Sequence, residues 1–586
     1  MRTPQHPDDN PCRPRHFKPA PCAPAVLDEP AQQTLEIGRT RLLVTAGLFV
    51  VAFAMIALRL VDVTLVKPAG EDESRLARRG AVMAAPPPRA DIVDRNGVLL
   101  ATTLATPSLF ANPKAIADPA AVARQLAQVL PGLDAGEIRA RLSSGRSFVW
   151  IKRQLTPREE FAVNRLGVPG LDFQREERRV YPDGNLAAHV VGYAGIDNSG
   201  LAGIERSFDA VLKQRREPLA LTIDVRLQAI LHEELGRAVE AFSAQGGAGI
   251  VMDVRTGEVL AMVSLPDFDP NQPPGSTADH RLFNRATLGT YEMGSTFKTF
   301  TLAMALDDHT ATLASTYDAA HPIHIGRFTI NDYHPMHRAL SVPEIFEESS
   351  NIGAARIAME AGTDRLRDFL GRLGLLRPAH IELREIGRPE LPSPWRDVNT
   401  MTIAFGHGIA VSPLQVAVAA SAVVNGGVLH EPTLIRPPPG YVPAGRQVMA
   451  PTTSQDMRRL LRLVVEKGTG TKAAAPGYLV GGKTGTAEKA SAHGYLRHEL
   501  LSSFVGAFPI NDPRYLILAI IDEPHGTVQS HGFATAGWTA APVVSHSVER
   551  MAPLLGIAPV DESDPEIERA LNIETPADEV RKLASN

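Results

Sequence analysis

Ser295 and Lys298 stand three residues apart in Tyr291-Glu-Met-Gly-Ser-Thr-Phe-Lys298. On a helix this spacing sets a hydroxyl and an amine one turn apart on one face, within hydrogen-bond reach. A serine hydroxyl is a weak nucleophile until a neighbouring base takes its proton. A lysine can do so only when neutral, and with an ordinary pKa near 10.4 roughly one in a thousand is neutral at pH 7.4. Burial or a nearby cation must therefore depress it. Two further segments follow at gaps of 54 and 134 residues, Ser349-Ser350-Asn351 and Lys483-Thr484-Gly485. Lys483 is the candidate cation. Ser349 and Asn351, two apart, can address one site from an extended loop, the serine relaying a proton and the asparagine holding Lys298 or a substrate amide. Lys483 and Thr484 on a strand, with Gly485 and Thr486, would bind a carboxylate, the bare Gly485 letting an extended substrate lie alongside. Gly294 allows close approach at the helix start, where unpaired N–H groups can serve an oxyanion. Each segment is commonplace alone. In this order they are the SxxK, SxN and KTG elements of acyl transfer through a serine ester, a chemistry that calls for no cofactor and no metal.

Other readings compete for some of these residues. Gly477-Tyr-Leu-Val-Gly-Gly482-Lys483-Thr484 fits the phosphate-loop pattern G-x-x-x-x-G-K-T, and Leu516-Ile-Leu-Ala-Ile-Ile-Asp522-Glu523 resembles the strand whose terminal acid holds magnesium. A phosphate loop follows a strand and opens a helix. Here Gly477 follows Thr471-Lys-Ala-Ala-Ala-Pro476, and Gly485, Thr486 and Gly494 come after Thr484, which argues for a strand instead. His321, His324, His334 and His337 are irregularly spaced and joined by no cysteine, so they read as a solvated hairpin region rather than a zinc site. His407, between Gly406 and Gly408, reads as structural.

The elements that must position this chemistry lie behind a membrane anchor. Leu42 to Leu58 carries no charge, and with Arg59, Leu60 and Val61 the run reaches 20 residues, about 30 Å as a helix and enough to cross a bilayer. Arg39 and Arg41 precede it, which predicts a cytoplasmic tail and an external bulk. Arg59 and Asp62 stand where a signal peptide would carry a small-residue cleavage site. The 586 residues suffice for about three or four domains, and the net charge of −5 gives no nucleic-acid footprint. Cys12 and Cys22, the two cysteines, lie in a Pro-rich tail and exclude a disulfide scaffold or a cysteine nucleophile.

The spacing predicts a disordered tail over 1–41, the anchor over 42–61, a charged stalk over 67–80 within a mixed α/β region 67–218, a main domain over 222–552 and an acidic flexible tail over 553–586. From Asp561 onward that tail holds eight acids and three bases. Asp91 to Leu100 reads as a hairpin around Asn96-Gly97, and Ala120–Leu130 and Ala135–Leu142 as helices. In the main domain a helix is expected over Val225–Phe242, two strands within Gly249–Ser264, a helix carrying Ser295 in its first turn and running to about Leu306, another over Ser412–Asn425, and strands at Leu479–Lys483, Ser503–Phe508 and Tyr515–Ile521. The last is apolar throughout, as in a buried central strand. The fold class is α+β, with a three-layer α/β/α main domain.

Beyond the motifs, Leu221-Thr-Ile-Asp-Val-Arg-Leu-Gln228, Val251-Met-Asp-Val-Arg-Thr-Gly-Glu-Val-Leu-Ala261, Gly406-His-Gly-Ile-Ala-Val-Ser-Pro-Leu-Gln415 and Gly482-Lys-Thr-Gly-Thr-Ala487 resemble the class B penicillin-binding proteins. Tyr291 to Lys298 and Glu348-Ser-Ser-Asn-Ile-Gly-Ala-Ala-Arg356 are most similar to the septal branch of that class, and the likeness runs over roughly residues 40–550. Arg89-Ala90 departs from the Arg-Gly expected after the stalk. The resemblance implies a periplasmic D,D-transpeptidase held by one span in the inner membrane. Ser295 would attack the penultimate D-Ala carbonyl of a peptidoglycan stem peptide, release the terminal D-Ala and pass the acyl group to a neighbouring stem's amine. It implies Lys298 as base, Ser349, Asn351 and Lys483 managing protons and substrate, Thr484 to Thr486 binding substrate, and the N–H groups of Ser295 and Thr486 as the oxyanion hole. It further implies acylation by β-lactam antibiotics and a non-catalytic pedestal that docks the SEDS glycosyltransferase FtsW and other division proteins. The alternatives are an elongation-specific transpeptidase, a membrane-bound β-lactamase, which needs a deacylating acid that no motif supplies, and a β-lactam-sensing receptor, which needs more spans and an intracellular effector.

Overall fold

The computed structural model describes residues 29–61, 88–326, 328–441, 443–491 and 494–573. The cysteines, the stalk and the end of the acidic tail lie outside them. The chain forms two units, 1–85 and 86–586. In the first, helix α1 (Glu29–Val61) carries an apolar window, Leu43–Leu60, of mean hydropathy 2.3 with none of it buried, a candidate membrane span. The helix begins at Glu29, inside the tail expected to be disordered. After Pro30 no proline interrupts the chain before Val61, and Ala31 to Glu36 are mostly good helix formers, so the turn propagates backwards from the apolar run.

In the second unit, β1 (Ile92–Val93) and β2 (Leu99–Ala111) form the expected hairpin, with Asp94 Oδ1 accepting from the N–H groups of Asn96 and Val98. Helices α2 (Pro119–Val129) and α3 (Ala135–Leu142) cover the sheet, which also contains β3 (Val149–Lys152) and β4 (Leu171–Val180), and Leu109, Leu126, Leu142 and Ile151 build a core of their own. β5 (Leu219–Ala220) pairs in parallel with β1, so the chain leaves this region beside the strand on which it entered. At its base Arg89 is 1% exposed and Glu205 is fully buried. Arg89 Nε reaches Glu205 Oε2 at 2.5 Å, Arg89 Nη1 donates to Asp209 Oδ1 at 2.7 Å, and Arg179 Nε donates to Glu205 Oε1 at 2.6 Å.

The remainder is built on one antiparallel sheet. In chain order come α4 (Val225–Ala241), β6 (Gly246–Asp253), β7 (Val259–Leu265), α5 (Lys298–Asp307), α6 (Val342–Glu347), α7 (Asn351–Ala361), α8 (Pro413–Val424), α9 (Pro451–Glu466), β8 (Gly481–Ser491), β9 (Gly494–Phe508), β10 (Tyr515–Asp522) and α10 (Ala540–Leu554). The sheet order is β8-β9-β10-β6-β7. Along β10 the side chains alternate between two cores. Leu516, Leu518 and Ile520 join Phe300 of α5, Leu414 of α8 and Leu460 of α9, whereas Ile517, Ala519 and Ile521 join Leu231 of α4 and Val544 of α10. Both faces are covered, so the strand is apolar from Leu516 to Ile521. β8 is an edge strand, and its open side lies beside the turn that carries Ser295.

The first part of the acidic tail packs on the main domain. Val560 N donates to the Gly477 carbonyl, Glu562 pairs with Arg462 at 2.8 Å, and after α11 (Pro565–Leu571) both Leu571 and Ile573 are buried. The negative count hid the apolar side chains of Val560, Ile567, Leu571 and Ile573, which join the same core as Leu460 of α9.

Candidate active site

Ser295 sits in a single 3₁₀ turn, Gly294–Phe297, that runs directly into α5, where Lys298 is the first residue. The turn depends on three glycines from distant segments. Gly294 has φ +54°, and a Cβ there would lie 2.6 Å from the Thr486 carbonyl oxygen. Gly406 has φ +84°, and its Cβ would lie 2.0 Å from the Gly294 carbonyl oxygen. A Cβ on Gly485 would come within 2.3 Å of both the Met293 carbonyl oxygen and Thr296 Oγ1. These are approaches that only glycine permits. The bare position of Gly485 therefore faces the serine turn and lets β8 pack against it; it does not open space for a substrate.

Lys298 is completely buried. Its Nζ donates to the Ser349 carbonyl at 2.5 Å and to Asn351 Oδ1 at 2.7 Å, and lies 2.9 Å from Ser295 Oγ and 3.1 Å from Ser349 Oγ. The carbonyl and the amide oxygen only accept, so together they occupy two N–H bonds. A neutral amine then has one lone pair left, facing two hydroxyls. Asn351 is held amide-oxygen inward because its Nδ2 donates to the Asn331 carbonyl at 3.1 Å. Burial, then the charge of Lys483, drives the Lys298 pKa well below the ordinary lysine value, with Asp332 opposing.

Ser349 does not lie on an extended loop. It occupies the turn between α6 and α7 with φ +59°, a left-handed conformation costly for a residue with a side chain. That turn points its Oγ between the two lysines, 3.1 Å from Lys298 Nζ and 3.0 Å from Lys483 Nζ. Lys483 is also fully buried, and burial alone lowers its pKa to about 7. Its Nζ lies over the Phe346 ring, and the adjacent Thr484 Oγ1 meets Thr469 Oγ1 at 2.6 Å. Thr486 Oγ1 accepts from Ala536 N at 3.1 Å.

Ser295, Lys298, Ser349, Asn351 and Lys483 are thus joined by hydrogen bonds into one cluster, with Thr484, Gly485 and Thr486 on the bordering strand. Gly482, Lys483 and Thr484 lie inside β8, paired with Gly506, Val505 and Phe504, which removes the phosphate-loop reading. The histidine region does form a hairpin, with Ile323–Ile325 paired to Phe328–Ile330. Three neighbours were missed in the sequence. Glu292 accepts from Gly408 N at 3.0 Å and from Tyr495 Oη at 3.1 Å, and Tyr495 stacks edge-on against His407. Glu292 is the residue three before Ser295 and could have been found by its place; nothing in the sequence announces Tyr495. The third, Asp332, accepts from Ser350 Oγ and from the Ile352 N–H.

The family model for the penicillin binding protein transpeptidase domain matches residues 247–545, and that for the penicillin-binding protein dimerisation domain matches residues 84–224. A Caulobacter vibrioides protein named a probable peptidoglycan D,D-transpeptidase FtsI is 43% identical over 80% of this chain and 82% of its own length. The probable peptidoglycan D,D-transpeptidase PenA of Neisseria gonorrhoeae is 33% identical over 83% of this chain and 88% of its own. The crystal structure of penicillin-binding protein 3 from Mycobacterium tuberculosis complexed with ampicillin superposes with a TM-score of 0.66 over 83% of this chain and 99% of that one, and at 24% identity it speaks for the fold alone. The likeness extends through both modules and well beyond the motifs, and on that extent the chain belongs to the class B penicillin-binding proteins.

Proposed function

We propose that this protein is a peptidoglycan D,D-transpeptidase that cross-links stem peptides during septal wall synthesis and is a target of β-lactams. The observation that carries the reading is the Lys298 amine, buried, depressed and 2.9 Å from Ser295 Oγ. Lys298 takes the Ser295 proton as Oγ attacks the penultimate D-Ala carbonyl carbon. The N–H groups of Ser295 and Thr486 hold the resulting oxyanion. As the C–N bond breaks, Ser349, between the two lysines, passes a proton to the departing D-Ala amine. The acceptor amine then attacks the Ser295 ester, gives up a proton through the same cluster and returns the hydroxyl. Lys483, protonated as the substrate carboxylate arrives, binds that carboxylate with Thr484 and Thr486, and Asn351 holds Lys298 in line.

In this reading α1 is an inner-membrane anchor with its N-terminus cytoplasmic, residues 222–552 work in the periplasm, and residues 67–218 are a pedestal that docks FtsW and other division proteins. The FtsI relative supports the septal assignment. Fluorescent penicillin is expected to label the chain covalently, and Ser295→Ala to abolish the label. Labelling that survives the substitution overturns the nucleophile, and rapid turnover of the penicillin points to a β-lactamase instead. A fluorescent fusion should gather at midcell in dividing cells; a lateral-wall pattern would reassign it to elongation.

A further inference from the structure

Lys298 and Ser349 are separated by 51 residues, and Ser349 is held in a left-handed turn. Something must hold that turn against its own preference. Within the turn, Ser350 caps α7 by accepting from Gly353 N at 2.9 Å. The hydroxyl proton of Ser350 goes elsewhere, to Asp332 Oδ2 at 2.6 Å. The other oxygen of the same carboxylate, Oδ1, accepts from the Ile352 N–H at 2.9 Å. The residue before it, Asn331, offers the carbonyl that orients the Asn351 amide. Asp332 is 9% exposed and belongs to none of the three motifs.

We infer that Asp332 is a positioning residue for the acyl-transfer centre: its two carboxylate oxygens clamp the residues on either side of Asn351, so that the Ser349 carbonyl and hydroxyl and the Asn351 amide all converge on Lys298 Nζ. This rests on the acyl-transfer reading above. Its two bonds bracket the turn, at Ser350 and at Ile352, which ties the segment 331–332 to the first turn of α7. Its negative charge also acts on Lys298, against the charge of Lys483 on β8, while His407 faces the same lysine from the loop after Ile403. Among the described residues these are the charged and titratable groups that bear on the amine. The carboxylate favours the protonated lysine, so removing the charge lowers the pH at which the base becomes neutral.

The test measures the rate of covalent labelling by fluorescent penicillin against pH, alongside thermal unfolding of the full chain in detergent. Asp332→Ala should label roughly 100-fold more slowly, the scale of loss when reacting groups are displaced by about 1 Å. The near-isosteric Asp332→Asn should shift the acid limb of the profile to lower pH. Ser350→Ala, which keeps the charge and breaks half of the clamp, should slow labelling with the acid limb unmoved. If Asp332→Ala does not fold, the other two variants decide. Wild-type rates at every pH in Asp332→Asn and Ser350→Ala overturn the inference, and so does a uniform loss in Asp332→Asn that leaves the limb in place. A native chain that takes no label, by contrast, overturns the acyl-transfer reading itself.

Discussion

The pedestal buries Arg89 and Arg179 around Glu205, and the cleft buries Lys298 and Lys483 around Ser349. Each is a pair of buried basic side chains bridged by one residue, and they are treated in opposite ways. A guanidinium keeps its proton at any pH a protein survives, so a buried pair needs an anion between its members and oxygens to accept from the two forks. Glu205 supplies both carboxylate oxygens and its carbonyl, and Asp209 adds another oxygen. An amine can instead relieve its burial by letting the proton go. Among the described residues no carboxylate pairs with either lysine, and a hydroxyl bridges them where the pedestal places an acid. Charge that must stay is used to build, and charge that can leave is used to react.

Swapping the two solutions breaks the contrast most sharply. Lys298→Arg puts a permanent cation where a proton acceptor is needed, and penicillin labelling should fall roughly 10²- to 10⁴-fold, the range that a general base contributes. Glu205→Ala does the reverse, leaving two guanidiniums without their shared anion. Denaturant unfolding should show a loss of roughly 3–5 kcal/mol, with the labelling rate of the molecules that remain folded unchanged. Arg89→Lys keeps the charge and loses the fork, stranding buried acceptors at a cost of about 1–3 kcal/mol.

The subtlest difference is one of pH. The folded protein holds Lys483 near 7, whereas an unfolded lysine keeps its proton up to the ordinary value of 10.5. Between these values the unfolded chain binds the extra proton, so raising the pH through that window favours the fold, by at most about 1.4 kcal/mol per pH unit. Lys483→Met should flatten the rise of stability between about pH 7 and 10 relative to the native chain, and an unchanged slope would refute the depressed value.

What could be read in advance was whatever repeats a local rule. The motif spacing marked every residue of the hydrogen-bonded cluster, and the unbroken apolar run at Tyr515 marked the central strand, because a strand covered on both faces has no polar side to show. What escaped depends on distance along the chain. Arg89 and Glu205 are 116 residues apart, and Asp332 stands 18 residues before Ser350 in a stretch that reads as solvated. The turn at Ser349 escaped for another reason: Ser-Ser-Asn has no intrinsic wish for a left-handed residue, and the conformation is imposed by two flanking helices and their shared cap. The tail from 553 to 573 misled because its acids draw the eye from the scattered apolar residues that dock it, Leu571 and Ile573 among them.

The three glycines around the serine turn set the terms on which such a protein can evolve under a drug that mimics its substrate. At Gly406 and Gly485 the first atom of any side chain meets an atom of the turn itself, and at Gly294 it meets the edge strand. The single-nucleotide neighbours of a glycine codon, alanine, serine and valine among them, therefore fail at all three positions, because each would force the serine turn and the backbone packed against it apart. Side chains that can vary without moving Ser295 lie farther out, at exposed positions such as Tyr495.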